Sequence, residues 1–454
     1  MKAISTLLFG LMSLSFGSHA ALYQTTLENG MQIVVKQDPR APIVVHQVWY
    51  RVGSNYEVNG QTGISHMLEH MMFKGTDSVA PGEFSKRVSQ MGGRENAFTS
   101  ANYTAYFQVV GKQHLAEVMT LESDRMMNLA LSNKEFQPER NVVKQERLWS
   151  VEDRPTSKLF EQFKATAYLS SPDRHPVIGW MSDIEHYSLD DLKRWYQKWY
   201  APNNATLVVV GDVDPQAVVE LAKQTYGVYP PRTVNPPKPQ YEVEQQGVRR
   251  IELKDATPVP SLVMGYHAPT LVTATQSSDV YALSVLASIL DGGDSARLNK
   301  TLVREQQVAS SIGAFYQAFG RLGSQFVFSG QPSETTSVEQ LEQAILAQIE
   351  RLQTELISPD ELARVLAQAE AEYVYMQDSI QSQANSIGMM VSVGLPADTL
   401  ENWVENLRKV NAKQIQAVAK KYLHNDNLTV AVLRPNGETN RKPAAKPDFG
   451  GRTH

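Results

Sequence analysis

The chain carries the same two stretches twice, in the same order. Tyr200-Ala-Pro-Asn-Asn-Ala-Thr-Leu-Val-Val-Val210 returns 222 positions later as Tyr422-Leu-His-Asn-Asp-Asn-Leu-Thr-Val-Ala-Val432, each copy preceded by an amphipathic helical pattern. Leu131-Ser132-x-x-Glu135-Phe136 returns 226 positions later as Ile357-Ser358-Pro-Asp-Glu361-Leu362, and both copies read as a capping box opening a long helix. Two elements repeated at nearly equal offset mark an internal duplication, so the fold must be two copies of one unit. The copies span residues 22–229 and 241–434. Between them Tyr229 to Pro239 holds five prolines, so residues 230–240 read as a linker. Residues 435–454 form a polar tail.

Residues 1–20 read as a secretory signal rather than as part of the fold. Lys2 precedes a mostly apolar run from Ile4 to Phe16, and Ser18-His19-Ala20 supplies small residues at the cleavage positions. The run is too short to span a bilayer, and no later segment approaches eighteen apolar residues. A periplasmic protein without a membrane anchor is the expectation.

Strand and helix patterns mix in both halves, which gives an α+β class. Tyr23 to Gln37 alternates around Asn29-Gly30, a hairpin signal. Ile43 to Val52 reads as a strong strand, and Ala97 to Val110 as a hairpin or one long strand. Helices are expected from Pro81 to Met91, Leu115 to Leu129, Ser132 to Val151, Tyr187 to Tyr200 and Asp214 to Gly227, with a strand at Thr206 to Val210. In the second half Tyr241 to Glu252, Leu262 to His267 and Gln325 to Gly330 read as strands.

Chemistry concentrates in Gly63-Ile-Ser-His-Met-Leu-Glu-His-Met-Met-Phe-Lys-Gly75. On a helix, His66 and His70 lie one turn apart on one face with Glu69 beside them. Two neutral imidazoles so placed can hold a divalent metal, and the carboxylate can take a proton from water whose pKa the metal lowers from about 15.7 to about 7. This is the inverted order of the zincin motif. Met67, Leu68, Met71, Met72 and Phe73 crowd the same helix, so its polar groups need partners that a metal would supply. The chain has no Cys, so its metal sites must use His and carboxylate. Glu135, Glu139 and Glu146 share one face of the helix expected to start at Ser132, and any of them is a candidate third ligand. The equivalent place in the second half, Arg297 to Glu305, has no His, so one metal per chain follows. A strand edge at Asn96 and Ala97 could pair with an extended peptide, and the pattern fits an ordinary sheet strand equally well. With 43 basic and 48 acidic residues the net charge is −5, which gives no reason to expect nucleic acid. His46 reads as a packed strand histidine. His114, His175, His186, His267 and His424 stand singly and read as structural or solvated.

The inverted motif with its Lys74-Gly75 tail, the downstream glutamates and the duplicated halves resemble the pitrilysin and insulinase superfamily, in particular short bacterial members similar to mitochondrial processing peptidase. The resemblance covers essentially the whole chain after the signal. It implies two duplicated half-domains of the processing-peptidase type, each a mixed sheet covered by helices, two such units closing around a peptide chamber. It implies zinc held by His66, His70 and Glu146, which lies 76 residues beyond His70. It implies Glu69 as general base, Glu139 as the acid that orients a ligand histidine, and Asn96 and Ala97 beside the substrate strand. Active members carry an Arg and, seven residues on, a Tyr in the second half. Arg304 matches the first, but position 311 is Ser311 and Tyr316 is out of register. The expected function is a zinc endopeptidase acting on extended oligopeptides. The expected assembly is a dimer with a related subunit that supplies the Arg/Tyr pair, the alternative being a homodimer. A non-hydrolytic peptide-binding or assembly subunit on the same scaffold is the competing reading.

Overall fold

The computed structural model describes residues 22–438, so the signal-like segment and the tail beyond Glu438 lie outside the described residues. The chain forms two mixed sheets. In the first, β1 (Tyr23–Thr26), β2 (Gln32–Gln37), β3 (Ile43–Tyr50), β4 (Arg94–Thr99), β5 (Thr104–Gly111) and β6 (Ala205–Gly211) lie in the order β1-β2-β6-β3-β5-β4. In the second, β7 (Arg249–Asp255), β8 (Ser261–Ala268), β9 (Ala309–Tyr316), β10 (Ser324–Pro332) and β11 (Leu428–Pro435) lie in the order β7-β11-β8-β10-β9. Apart from β1, the orders correspond strand for strand. Each sheet has one parallel pair, β2 with β6 and β7 with β11, and the remaining pairs are antiparallel. The duplication expected from the repeats is therefore present in the topology.

Both faces of the first sheet are buried, which explains why β6 is apolar throughout. Leu207 and Val209 enter the main N-terminal core, while Val208 and Val210 pack on the opposite face. That opposite face is covered by the helix Ile380–Val393 from the second half, through Ala384 and Ile387 against Val45 and Trp49. The second sheet is covered in turn by the helix Pro155–Ala167 from the first half, whose Leu159 and Phe163 pack on Val263, Val327, Ala431 and Leu433. Each half thus lends a helix to the other's sheet. Fully burying an aliphatic or aromatic side chain is worth about 1.5–3 kcal/mol, so the exchange contributes substantially to cohesion between the halves. The approach is close at Gly388, where an added Cβ would collide with the Trp49 indole.

Several elements end differently from expectation. Ala97 to Val110 takes the first of its two expected forms, the antiparallel hairpin β4–β5, but that hairpin starts earlier, at Arg94. The helix after Ser132 runs Asn133–Arg147 and continues as a single π turn, Leu148–Glu152. Its expected capping box does not form, because exposed Ser132 makes no side-chain cap bond. At Ser358 the hydroxyl accepts from the Glu361 N–H at 3.2 Å, but Glu361 pairs with Arg297 instead of closing the box. The strand expected from Tyr241 begins only at Arg249. Upstream of it the Glu242 carboxylate accepts the N–H groups of Leu169, Ser170 and Ser171, which ties the segment to the first half instead of to a sheet. Among the described residues no helix is long and apolar enough to cross a membrane.

Candidate metal centre

The helix Ile64–Met71 is wedged into the N-terminal core by Ile64, Met67, Leu68 and Met71. Its first turn needs acceptors for its free N–H groups, and Glu57 meets that need: its carboxylate accepts from Gly63 at 2.7 Å and Ser65 at 2.9 Å. Gly63 precedes the helix with φ 81°, and a Cβ there would meet the Ile178 carbonyl, so only glycine permits this entry. The helix therefore presents His66, Glu69 and His70 from a fixed mount, all three buried.

The second mount is the helix Asn133–Arg147. Phe136 and Val143 anchor it in the same core, and of its three glutamates Glu139 and Glu146 are buried while Glu135 is not. Its end is clamped by Arg147, which donates to Glu161 at 2.8 Å, to Glu152 at 3.0 Å and to the Gly179 carbonyl at 2.6 Å. The π turn that follows places Ser150 and Val151 on the wall of the adjoining cavity.

The two helices bring three donors together. The Glu146 Oε2 lies 3.7 Å from His66 Nε2 and 3.4 Å from His70 Nε2, and the three donor atoms all fall within 4.8 Å of one another. Tetrahedral zinc with bonds of 2.0–2.2 Å separates its ligand atoms by about 3.4 Å, so two imidazoles and one carboxylate at these distances fit that ion in both spacing and chemistry. On the far side of the ring, His70 Nδ1 lies 2.8 Å from Glu139 Oε1, the arrangement that leaves Nε2 with a lone pair for a metal. Lys74, four residues beyond His70 and past the helix end, pairs with the other Glu139 oxygen. Burial alone would lower the His70 pKa, but Glu139 and Glu146 override it and push it up to about 9. For Glu139 burial works upward, and His70 and Lys74 override it to pull the carboxyl down to about 2. The centre is thus strongly cation-attracting. Among the described residues no other group of three such side chains has this geometry.

Glu69 does not join this donor set. Its Oε2 accepts a hydrogen bond of 2.5 Å from Thr99 Oγ1 at the end of β4. Glu69, His66 and Glu146 line a cavity of about 590 Å³ together with Asn96 to Thr99 of β4, Phe160 and Ile178. β4 is an edge strand, with β5 as its single neighbour. Among the described residues, those lining this cavity all belong to the first half. Arg304 is exposed at the end of the Asn299–Glu305 π helix, and Ser311 is exposed on β9. The Tyr316 hydroxyl is bound to the Pro269 carbonyl, so that phenol is already engaged within its own half. The dull reading of the lone histidines holds where they can be checked: His46 is buried between Gln108 at 2.7 Å and Tyr226 at 2.9 Å, and His267 meets the Ala167 carbonyl at 2.9 Å.

A model of the insulinase family, peptidase family M16, matches residues 32–179, and one of the M16 inactive domain matches residues 186–369. Zinc protease PqqE of Helicobacter pylori is 31% identical over 441 residues, covering 94% of this chain and 96% of that protein. The chain belongs to the M16 peptidase family. His66, His70 and Glu146 all lie within the matched M16 segment, and the inactive-domain match runs from the end of the first half through much of the second, which holds no equivalent cluster among the described residues. Other family relatives agree. A probable mitochondrial-processing peptidase subunit beta of Arabidopsis thaliana is 22% identical, covering 90% of this chain and 78% of that one. A crystal structure of a Helicobacter pylori protease superposes with a TM-score of 0.86 at 30% identity, over 92% of this chain and all of that one. The first half of the periplasmic protease PqqL of Escherichia coli shares the fold with a TM-score of 0.76, at 19% identity over 93% of this chain and 94% of that one.

Three residues support the centre in roles that sequence reasoning did not assign. Thr99 and Glu57 are separated from their partners by loops, and nothing local marks them. Lys74 stood in the motif's tail, four positions after His70, and that spacing was the available signal. Glu57 carries a pH signature. Burial pushes its carboxyl up to about 7, against the N–H groups that hold it down. The folded state then binds a proton that the unfolded state releases above pH 4–5, so Glu57 costs stability as pH rises toward 7. Melts of the wild type and Glu57→Gln with chelator present should show the variant gaining on the wild type between about pH 4.5 and 7; a constant or shrinking gap refutes the assignment.

Proposed function

We propose that this chain is the zinc-bearing subunit of a periplasmic endopeptidase that hydrolyses extended oligopeptides in an enclosed chamber. The observation that carries the reading is the convergence of His66, His70 and Glu146 on one point, with Glu69 on the wall of the same cavity. When bound, zinc supplies a Lewis acid that polarises the scissile carbonyl and acidifies water. Glu69 accepts a proton from the attacking water as its oxygen bonds to the carbonyl carbon, then delivers it to the nitrogen as the C–N bond breaks. Thr99 holds one Glu69 oxygen and so aims the other. Glu139 fixes the His70 tautomer, and Asn96 and Ala97 on edge strand β4 offer a register for an added substrate strand. The name of the PqqL relative and the signal-like start support the compartment.

Among the described residues the cavity draws none from the second half to donate to the developing oxyanion, a contact worth about 3 kcal/mol in comparable sites. In our reading a related subunit supplies the missing Arg and Tyr, while Arg304 contributes to substrate binding at the closed interface. The test is to purify the processed chain, measure its zinc, assay unfolded peptides with and without chelator, and weigh the assembly by native mass spectrometry. One zinc per chain is expected, with cleavage that chelation abolishes and zinc restores, and that a related subunit accelerates by 10²-fold or more. Full activity from a homogeneous homodimer would refute the partner. Zinc-independent peptide binding without cleavage in any assembly would leave the scaffold reading standing.

A further inference from the structure

The metal cavity does not stop at β4. Past Thr99 the turn Ser100-Ala101-Asn102-Tyr103 leads into a second cavity of about 330 Å³ between the two halves, and Phe160 and Lys164 line both spaces. One wall of the second cavity is apolar, built from Phe163, Phe319, Val327 and Phe315, the last 52% exposed on edge strand β9. The polar end holds Lys164 and Asp173.

Lys164 sits on the helix Pro155–Ala167, whose neighbouring Phe163 is locked into the second sheet, so the lysine has a fixed base. Among the described residues no carboxylate pairs with its ammonium at ion-pair distance. The acid it faces, Asp173, already accepts from Asn55 at 2.7 Å and from Ser171 at 3.1 Å. The acid on this helix, Glu161, lines the metal cavity and is taken by Arg147. Arg321 adds further positive charge near Asp173 while stacking on Tyr56. Burial lowers the Lys164 pKa, and burial raises that of Asp173 despite its bonds to Asn55 and Ser171, as expected of groups drawn away from water. A desolvated ammonium at the mouth of an apolar pocket gains most from an incoming anion.

We propose that Lys164 binds a carboxylate of the substrate peptide in this second cavity and so determines specificity. The proposal rests on the peptidase reading above and names its substrate class: peptides carrying a carboxylate a few residues from the scissile bond. The Thr99 hydroxyl marks where Glu69 works, and the cavity begins with the next residues of the hairpin. At about 3.3 Å per strand residue, the carboxylate sits roughly three residues, or about 10 Å, from the reacting bond. Its source is either an Asp or Glu side chain or the peptide's own C-terminus, with the phenylalanine wall taking the adjoining apolar atoms.

Binding can be read without turnover in a zinc-loaded Glu69→Gln background, in whatever assembly the protein forms. Labelled ten-residue peptides are compared by fluorescence anisotropy in pairs, Glu against Gln at scanned positions and free against amidated C-terminus. One member of a pair should bind about tenfold more weakly. Lys164→Gln should erase that difference, and Lys164→Glu should reverse it in favour of a Lys-bearing peptide. A response in the Glu/Gln arm assigns the side chain, and one in the amidation arm assigns the terminus. Equal binding of charged and neutral peptides by the Lys164 protein, a uniform loss for all peptides on Lys164→Gln, or no binding at all would overturn the proposal. Discrimination by a protein whose Glu69 form never cleaves would instead overturn the peptidase reading and leave this one standing.

Discussion

Glu69→Gln is expected to keep its zinc and to lose peptide cleavage by a factor of about 10²–10⁴. The amide is nearly the same size as the carboxylate and can still accept from Thr99, so the helix Ile64–Met71 keeps its packing. None of the three atoms that converge on the metal position belongs to residue 69. What disappears is a group able to hold a proton between the attack of water and the departure of the amine. Metal analysis alongside a quenched-fluorescence peptide assay reads both quantities in one preparation. Loss of zinc together with activity would make Glu69 a structural part of the centre, and undiminished cleavage would remove it from the reaction.

Gly388→Leu is expected to give a large stability loss at a distance from the centre. A Cβ alone would overlap the Trp49 indole, and the indole cannot retreat easily: its Nε1 donates to Gln47 at 2.8 Å, and Gln47 in turn donates to Asn385 of the incoming helix at 2.6 Å. Overpacking of a tight core costs about 1–3 kcal/mol, and here the strain is joined by loss of that hydrogen-bonded chain. Thermal melts should show a lowered midpoint, with limited proteolysis opening first around Ile380–Val393. A melting profile equal to that of the wild type would show that the helix can shift without penalty.

How much could be read in advance follows from how far apart the interacting residues lie. The His66 and His70 pair was legible because helical spacing is local and the apolar residues around it admit no solvated alternative. The duplication was legible because its repeats copy whole elements, and the sheets repeat the same strand order. The third ligand was half legible: the face shared by Glu135, Glu139 and Glu146 was plain, but burial separates the last two from the first, and burial depends on the approach of a helix some seventy residues away. Glu57 drew no reading from the sequence, because its partners are backbone N–H groups, which leave no mark in side-chain pattern. The stretch from Tyr241 failed for the same reason, since Glu242 found main-chain donors at Leu169 to Ser171 in place of a ladder. The exchange of helices was not legible at all. Pro155–Ala167 and Ile380–Val393 have apolar faces, and an apolar face does not say which sheet it will cover.

Handcuffed by those two crossed helices, the halves cannot part like jaws. Separating them would drag Phe163 out from under one sheet and Ala384 and Ile387 off the other, exposing both at once to water. Even a cut in the proline stretch would leave the pieces gripping each other. If the chain works as the proposed endopeptidase subunit, room to admit and release a polymer would have to come from a swing of this chain, moving as a block, against the proposed partner.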